Sequence, residues 1–222
     1  MVSIAIDGPS GAGKSTLARR LAAELGYVYV DTGAMYRSIG LYTLRAGADC
    51  GNEAAVAALL PQISLSLEYQ DGAQHILLNG EDVSDAIRTP EVSMAASAVS
   101  AHPPVRAFLL ETQRGLARRQ NVLMDGRDIG TVILPNAQVK IFLTASPEER
   151  ARRRFEELKA RGEAVTYEQV LEDVVQRDYN DTHRAAAPLK AAPDAVTVDT
   201  TGLTFDESFG ALLRVIRARV EA

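Results

Sequence analysis

The period of apolar positions changes several times along the chain, and those changes outline its elements. Residues 2–6 form a short apolar, β-branched run that reads as a buried strand leading into Asp7-Gly8. Leu17, Leu21 and Leu25 then recur at every fourth position and mark one face of a helix ended by Gly26. A second strand is expected over residues 27–30. Strand, glycine-rich loop, helix and strand in this order predict a βαβ unit within a parallel sheet.

Helices are expected over residues 35–45 and 52–60, the second stopped by Pro61. The period then falls to two. Ile63, Leu65 and Leu67 alternate with serines, Asp71-Gly72 signals a turn, and residues 75–79 read as the returning strand. Asn79-Gly80 offers a second turn, so residues 61–88 are expected to form a small antiparallel insertion. Helices over 91–100 and 104–119 follow, then strands over 121–124 and 139–143. Ser146-Pro147-Glu148-Glu149 reads as a capping box opening a helix that runs to Ala160. A helix over 167–179, a strand over 195–198 and a helix over 205–220 complete the pattern.

Composition narrows the classes. The chain has 222 residues, 46% of them apolar and 24% charged, which suits one α/β domain carrying an inserted subdomain. A formal net charge of −5 supplies no global field for DNA or RNA, so no nucleic-acid partner is expected. Cys50 is the sole cysteine, which excludes an intrachain disulfide and points to the cytoplasm. No apolar run approaches the ~20 residues of a membrane span.

The chemistry begins at Gly8-x-x-x-x-Gly13-Lys14-Ser15, a phosphate-loop pattern placed after a strand and before a helix. Glycines let successive N–H groups turn inward on phosphate oxygens, and the helix N-terminus adds partial positive charge. Gly8, Pro9, Ser10, Gly11, Ala12, Gly13, Lys14, Ser15 and Thr16 are therefore expected to hold ATP. Lys14 would reach its β/γ-phosphates and Ser15 would offer a hydroxyl to Mg²⁺. Asp125, at the end of a core strand, is placed to hold the Mg²⁺ water shell. A GTP-binding switch is disfavoured because the chain contains no Asn-Lys pair.

Arginines supply the second signal. Arg37, in Asp31-Thr32-Gly33-Ala34-Met35-Tyr36-Arg37, offers a two-pronged donor to a phosphate, with Thr32 and Tyr36 beside it. Arg150, Arg152, Arg153 and Arg154 crowd one helix, with Arg150 and Arg154 on the same face. Arg177, Asp181 and Arg184 share another face. Three readings stay open on these residues alone. One is a kinase acting on a nucleoside monophosphate. The second is a kinase acting on an alcohol, with Asp125 or Asp128 as base, and the third a nucleotide-binding regulator without transfer. An arginine-rich acceptor side suits an anionic acceptor.

Over essentially its whole length the chain resembles the bacterial cytidylate kinases. The resemblance rests on residues 8–16 and 31–37, on Gly80-Glu81-Asp82-Val83-Ser84 with Ile87-Arg88-Thr89, and on Ala96-Ser97 and Val105-Arg106. It continues through Asp125-Gly126-Arg127-Asp128 with Gly130-Thr131-Val132, residues 149–154 and residues 177–189. It implies an α/β P-loop NMP-kinase fold, in which a parallel sheet core is flanked by helices. An enlarged NMP-binding subdomain (about 36–102) would contain the small antiparallel sheet, and a helical lid would span about 146–165. It further implies ATP-dependent phosphorylation of CMP and dCMP with Mg²⁺ by a cytoplasmic monomer. Lys14, Arg150, Arg153, Arg154 and Asp125 would be the catalytic set. Thr32, Tyr36, Arg37, Ser97, Arg106, Arg127, Asp128, Arg177, Asp181 and Arg184 would hold the acceptor. Among these, Ser97, Arg106 and Asp128 fall at cytosine-reading positions and Arg177 and Asp181 at pentose-contacting ones. His75, His102 and His183 are expected to be structural.

Overall fold

Ile4 and Ile6 face one side of the first strand and Ala5 the other, and all three are fully buried. A strand covered on both faces belongs at the centre of a parallel sheet. The computed structural model describes residues 1–70 and 73–220, and the expected Asp71-Gly72 turn lies outside the described residues. The chain runs β1 (Ser3–Asp7), α1 (Lys14–Leu25), β2 (Val28–Asp31), α2 (Thr32–Arg45) and α3 (Glu53–Leu59). Next come β3 (Leu65–Gln70), β4 (Ala73–Leu78), β5 (Glu81–Asp82), α4 (Pro90–Val99) and α5 (Pro103–Arg119). It ends with β6 (Val122–Gly126), β7 (Val139–Thr144), α6 (Pro147–Ala160), α7 (Tyr167–His183), β8 (Val196–Asp199) and α8 (Phe205–Val220).

Five strands pair in the order β2-β6-β1-β7-β8, every pair parallel. Alternation along each strand sorts residues between two cores. Ile4, Ile6, Leu123 and Ile141 pack with Leu17, Leu21, Leu212 and Ile216 of α1 and α8. Ala5, Val30, Val122 and Met124 pack with Met35, Ile39, Val105 and Leu109 of α2 and α5. The second sheet, β3-β4-β5, is antiparallel and sends Ile76, Leu78 and Val83 into that same core. It also docks on the free edge of β2. The Tyr69 hydroxyl donates to Tyr29 O (2.8 Å), and Asp31 N donates to Gln74 Oε1 (3.0 Å).

Several boundaries differ from expectation for local reasons. Helix α2 starts at Thr32, three residues early, because the Asp31 carboxylate accepts from Ala34 N and caps it. Strand β3 begins after a 3₁₀ turn at Leu60–Gln62, so the alternating phase was legible and its ends were not. Helix α7 continues to His183, whose ring stacks on Tyr179 at 4.1 Å. Ser146 makes only half of a capping box, since the Glu149 carboxylate turns to Arg152 and Arg153. The complete box is Thr166 with Gln169. A wide five-residue turn at Ile129–Ile133 has no signature in the sequence pattern. Among the described residues no helix is long and apolar enough to cross a membrane.

The register aligns the strand ends that build the site. Asp7 sits beside Gly126, and Asp125 beside both Ile6 and Asp31, all at the C-terminal edge of the sheet. Ligands of open parallel sheets bind outside this edge. Gly8 leaves β1 so close to β7 that an added Cβ would lie 1.9 Å from Leu143 O, at φ +150°. Gly8→Ala is therefore expected to cost about 3 kcal/mol or more, from strain and overpacking together. Urea unfolding monitored by circular dichroism checks it, and a midpoint equal to that of the parent protein would refute it.

Candidate active site

A cavity of about 750 Å³ opens over the N-terminus of α1. Ser10, Gly11, Gly13, Lys14, Ser15 and Thr16 line it, as the loop pattern implied. Gly8, Pro9 and Ala12 lie behind that surface: Ala12 is in the core, and Pro9 O accepts from Lys14 Nζ at 2.7 Å. Burial, then the positive charge of Arg127, pushes the Lys14 ammonium well below its usual pKa. A phosphate entering the loop would reverse that pressure.

Ser15 Oγ donates to Asp125 Oδ2 at 2.7 Å, and the Tyr29 hydroxyl donates to Asp125 Oδ1 at 3.0 Å. Burial and the nearby Asp31 charge raise the Asp125 pKa. A hydroxyl and a carboxylate in contact at the mouth of a phosphate loop fit Mg²⁺, which takes few protein ligands and completes its shell with water and phosphate oxygens. No cluster of three or more His, Cys, Asp or Glu able to hold a metal occurs among the described residues. The donor set therefore suits an ion shared with a nucleotide.

A second, narrower cavity of about 70 Å³ adjoins the first, and all ten residues expected to hold the acceptor line it. They come from α2 (Thr32, Tyr36, Arg37), α4 (Ser97), α5 (Arg106), the β6 end (Arg127, Asp128) and the α7 region (Arg177, Asp181, Arg184). Arg37, Arg127 and Arg177 line both cavities and mark their junction. Gly126 lies there too, with Thr32 Oγ1 only 2.8 Å from where a Cβ would sit.

Carboxylates hold most of these arginines. Asp31 Oδ2 accepts from Arg37 at 2.9 Å, Asp181 Oδ2 accepts from Arg127 Nε at 2.7 Å, and Asp128 accepts from Arg106. Arg184 reaches Asp128 from the other side at 3.6 Å and donates to Ser100 Oγ. Burial opposes the charge on Asp181, but Arg127 outweighs it and holds the carboxyl below its usual range. Burial raises Asp128, with Arg106 and Arg184 pulling the other way. Tyr36 packs on the core, and its ring lies 5.9 Å from the Arg106 guanidinium.

The arginine-rich helix splits. Arg153 and Arg154 line the loop cavity, with Arg153 donating to Thr200 O (2.8 Å) and Arg154 to Glu157 (2.8 Å). Arg150, expected in the catalytic set, faces away from that cavity. Its guanidinium donates to Ala145 O, Ser10 O and both oxygens of Asp178, and it is 2% exposed. It braces the phosphate loop against α7 from behind. Helical spacing gave Arg150 and Arg154 a common face but could not say that α7 covers one end of it.

Two further lining residues had been given no site role. Arg88, from the 3₁₀ turn Ala86–Arg88, lines the loop cavity 3.7 Å from Asp31, and Ser100 lines the acceptor cavity. The histidines lie outside both cavities. His75 contacts Asp82, and His102 contacts Cys50 O.

Breaking the Arg150–Asp178 pair leaves a partly buried carboxylate, so Arg150→Met is expected to destabilise the fold by about 3 kcal/mol. Arg154→Ala, on a partly exposed i,i+3 pair, is expected to shift stability by no more than about 0.5 kcal/mol. Chemical denaturation of both variants checks the contrast, and equal stability would return Arg150 to the catalytic set.

Comparison with known proteins identifies the family. The family model described as cytidylate kinase matches residues 4–218. The cytidylate kinase of Carboxydothermus hydrogenoformans is 51% identical over 213 residues, 96% of this chain and 96% of that protein. That of Geobacter sulfurreducens is 48% identical over 219 residues, 99% of this chain and 94% of that protein. A crystal structure of an uncharacterized protein from Eubacterium ventriosum has a TM-score of 0.55 at 13% identity, covering 98% of this chain and 99% of that one, a likeness of fold alone. The chain belongs to the cytidylate kinase family.

Proposed function

We propose that this chain transfers the γ-phosphate of ATP to CMP and dCMP, giving ADP with CDP or dCDP. One observation carries the reading: a phosphate-loop cavity and an arginine-flanked acceptor cavity meet at shared Arg37, Arg127 and Arg177. Membership of the cytidylate kinase family supports the same substrate.

A nucleoside monophosphate has a second phosphate pKa of about 6, so its oxygen is already a nucleophile at neutral pH. That oxygen attacks the γ-phosphorus, and the bond to the β–γ bridging oxygen breaks with its electron pair leaving on ADP. No proton has to be removed. The protein's task is alignment and charge stabilisation. The loop amides and Lys14 hold the donor phosphates, Arg153 and Arg154 neutralise charge from α6, and Arg37 and Arg127 hold the acceptor phosphate. Arg177 and Asp181 address the pentose. Asp128 accepts from cytosine N4–H₂, while Arg106 and Ser97 complete the base site and Arg184 flanks it. Mg²⁺, when bound, would neutralise triphosphate oxygens, and Ser15 with water-linked Asp125 are the groups that would hold it.

In this reading residues of about 36–102 act as the acceptor subdomain and about 146–165 as the lid. A separate small core of Ala151, Leu158, Val170 and Val174 packs α6 of this lid against α7. We place the protein in the cytoplasm, on its single cysteine, and take it to act as a monomer.

A coupled ADP-release assay with CMP, dCMP, UMP, AMP and a panel of sugars tests the substrate, and turnover fastest with a sugar would overturn it. Lys14→Ala and Arg154→Ala are each expected to lower turnover about 10³-fold, as for lost phosphate clamps. Less than tenfold loss in both would count against the scheme. Asp181→Ala is expected to raise the KM for CMP and dCMP, since it anchors Arg127 as well as meeting the pentose. Unchanged kinetics with both substrates would remove that assignment.

A further inference from the structure

Asp128 is held at its carboxylate by Arg106 and Arg184, but these do not place its backbone. It stands at the start of the wide turn Ile129–Ile133, a loop whose backbone could tilt its carboxylate toward or away from the base. Two charged side chains from distant elements grip this turn at opposite ends. At its start, Asp7 of β1 accepts from Ile129 N at 2.7 Å through one oxygen and from Gly130 N at 2.8 Å through the other. At its end, Arg114 of α5 donates to Val132 O and Ile133 O, each at 3.0 Å. Neither residue lines the acceptor cavity.

We infer that Asp7 and Arg114 are positioning residues that set base specificity by fixing the Ile129–Ile133 turn and hence the placement of the Asp128 carboxylate. The reasoning follows from unsatisfied backbone groups. The first N–H groups and last C=O groups of any helical turn lack internal partners and must find them elsewhere. Here a carboxylate takes the donors and a guanidinium takes the acceptors, so the turn is held at both ends by charge-assisted hydrogen bonds. Asp7 is 4% exposed, and burial raises its carboxyl to about 6 against the pull of the two N–H groups. It is therefore an acceptor with both oxygens engaged at the pH of an ordinary kinase assay. Gly130 fits the turn closely, with Lys140 Cδ 3.2 Å and Asp7 Oδ2 3.4 Å from where a Cβ would lie.

The consequence is chemical. Cytosine presents a donor at N4 where uracil presents an acceptor at O4, so a fixed carboxylate attracts one and repels the other. A carboxylate free to swing loses that discrimination before it loses all binding. Because Asp7 directly precedes Gly8, the same strand end carries the donor loop and steadies the acceptor's reader. The inference rests on the assignment of Asp128 to the cytosine.

The test measures kcat/KM for CMP and UMP at pH 7.5 and saturating MgATP in Asp7→Asn, Arg114→Gln and Asp128→Asn. In Asp7→Asn an amide NH₂ must face a backbone N–H, donor against donor. It is expected to lower kcat/KM for CMP by about 30-fold, within the ~10²-fold cost of a small misplacement, and to narrow the CMP:UMP ratio about tenfold. Arg114→Gln is expected to act in the same direction, about fivefold on the ratio. If Asp128→Asn shifts the ratio while Asp7→Asn and Arg114→Gln lower both substrates equally, the positioning role is overturned and the reading of Asp128 stands. If Asp128→Asn leaves the ratio unchanged, the reading of Asp128 fails and takes the inference with it. Should Asp7→Asn not fold, Arg114→Gln alone decides: a narrowed ratio supports the role, and an unchanged one overturns it.

Discussion

Positive charge crowded where the two cavities meet is the constraint on which the rest of the site depends. Arg37, Arg127 and Arg177 all reach that junction. Like charges packed together repel, and partial burial strengthens the repulsion. Arg37 has Asp31 and Arg127 has Asp181, but Arg177 forms no ion pair among the described residues. Its Nε is sealed from solvent without a hydrogen-bond partner, and burial, then Arg127, pushes its pKa down to about 10. A guanidinium in that condition is stabilised by an arriving anion.

The carboxylates show how neighbours assign different work to one residue type. Asp7, Asp31 and Asp125 end adjacent strands at one edge of the sheet. Asp7 accepts backbone N–H groups of a distant turn. Asp31 caps α2 and holds Arg37, so that Arg37 and Arg88 outweigh the burial that opposes its charge. Asp125 takes hydroxyls from Ser15 and Tyr29, and burial, then the nearby Asp31 charge, raises its pKa. The insertion reaches the same edge through Tyr69 and Gln74, touching the backbone of Tyr29 and Asp31. Its docking therefore bears on both the metal side and the acceptor side of the crevice.

The donor loop was legible because its chemistry is local. Gly8, Gly13, Lys14 and Ser15 act through one continuous stretch of backbone, so spacing and strand–helix context carry the meaning. Among the acceptor residues, Arg37 with Thr32 and Tyr36 showed as a local cluster, as did Arg177, Asp181 and Arg184 on one helix face. Ser97, Arg106 and Arg127 were legible only through motifs resembling a family. Arg150 shows the limit of periodicity. Its helical face was right, but Asp178 and Ser10, brought against it by folding, turned a candidate phosphate clamp into a brace. Asp7 and Arg114 gave no signal, because what defines them is backbone groups 122 and 18 residues away.

The amino-acid order by itself determined which segments become strands and helices, where the phosphate loop sits, and that arginine supplies the charge. Those properties depend on neighbours within a few positions and on hydrophobic period. Folding decided which arginines remain exposed in the cavities and which are used internally, and which turn carries Asp128. Hydrogen bonds and ion pairs act over about 3 Å. Many of their partners here lie from 22 to 140 residues away along the chain, so only the packed sheet and its helices could choose them.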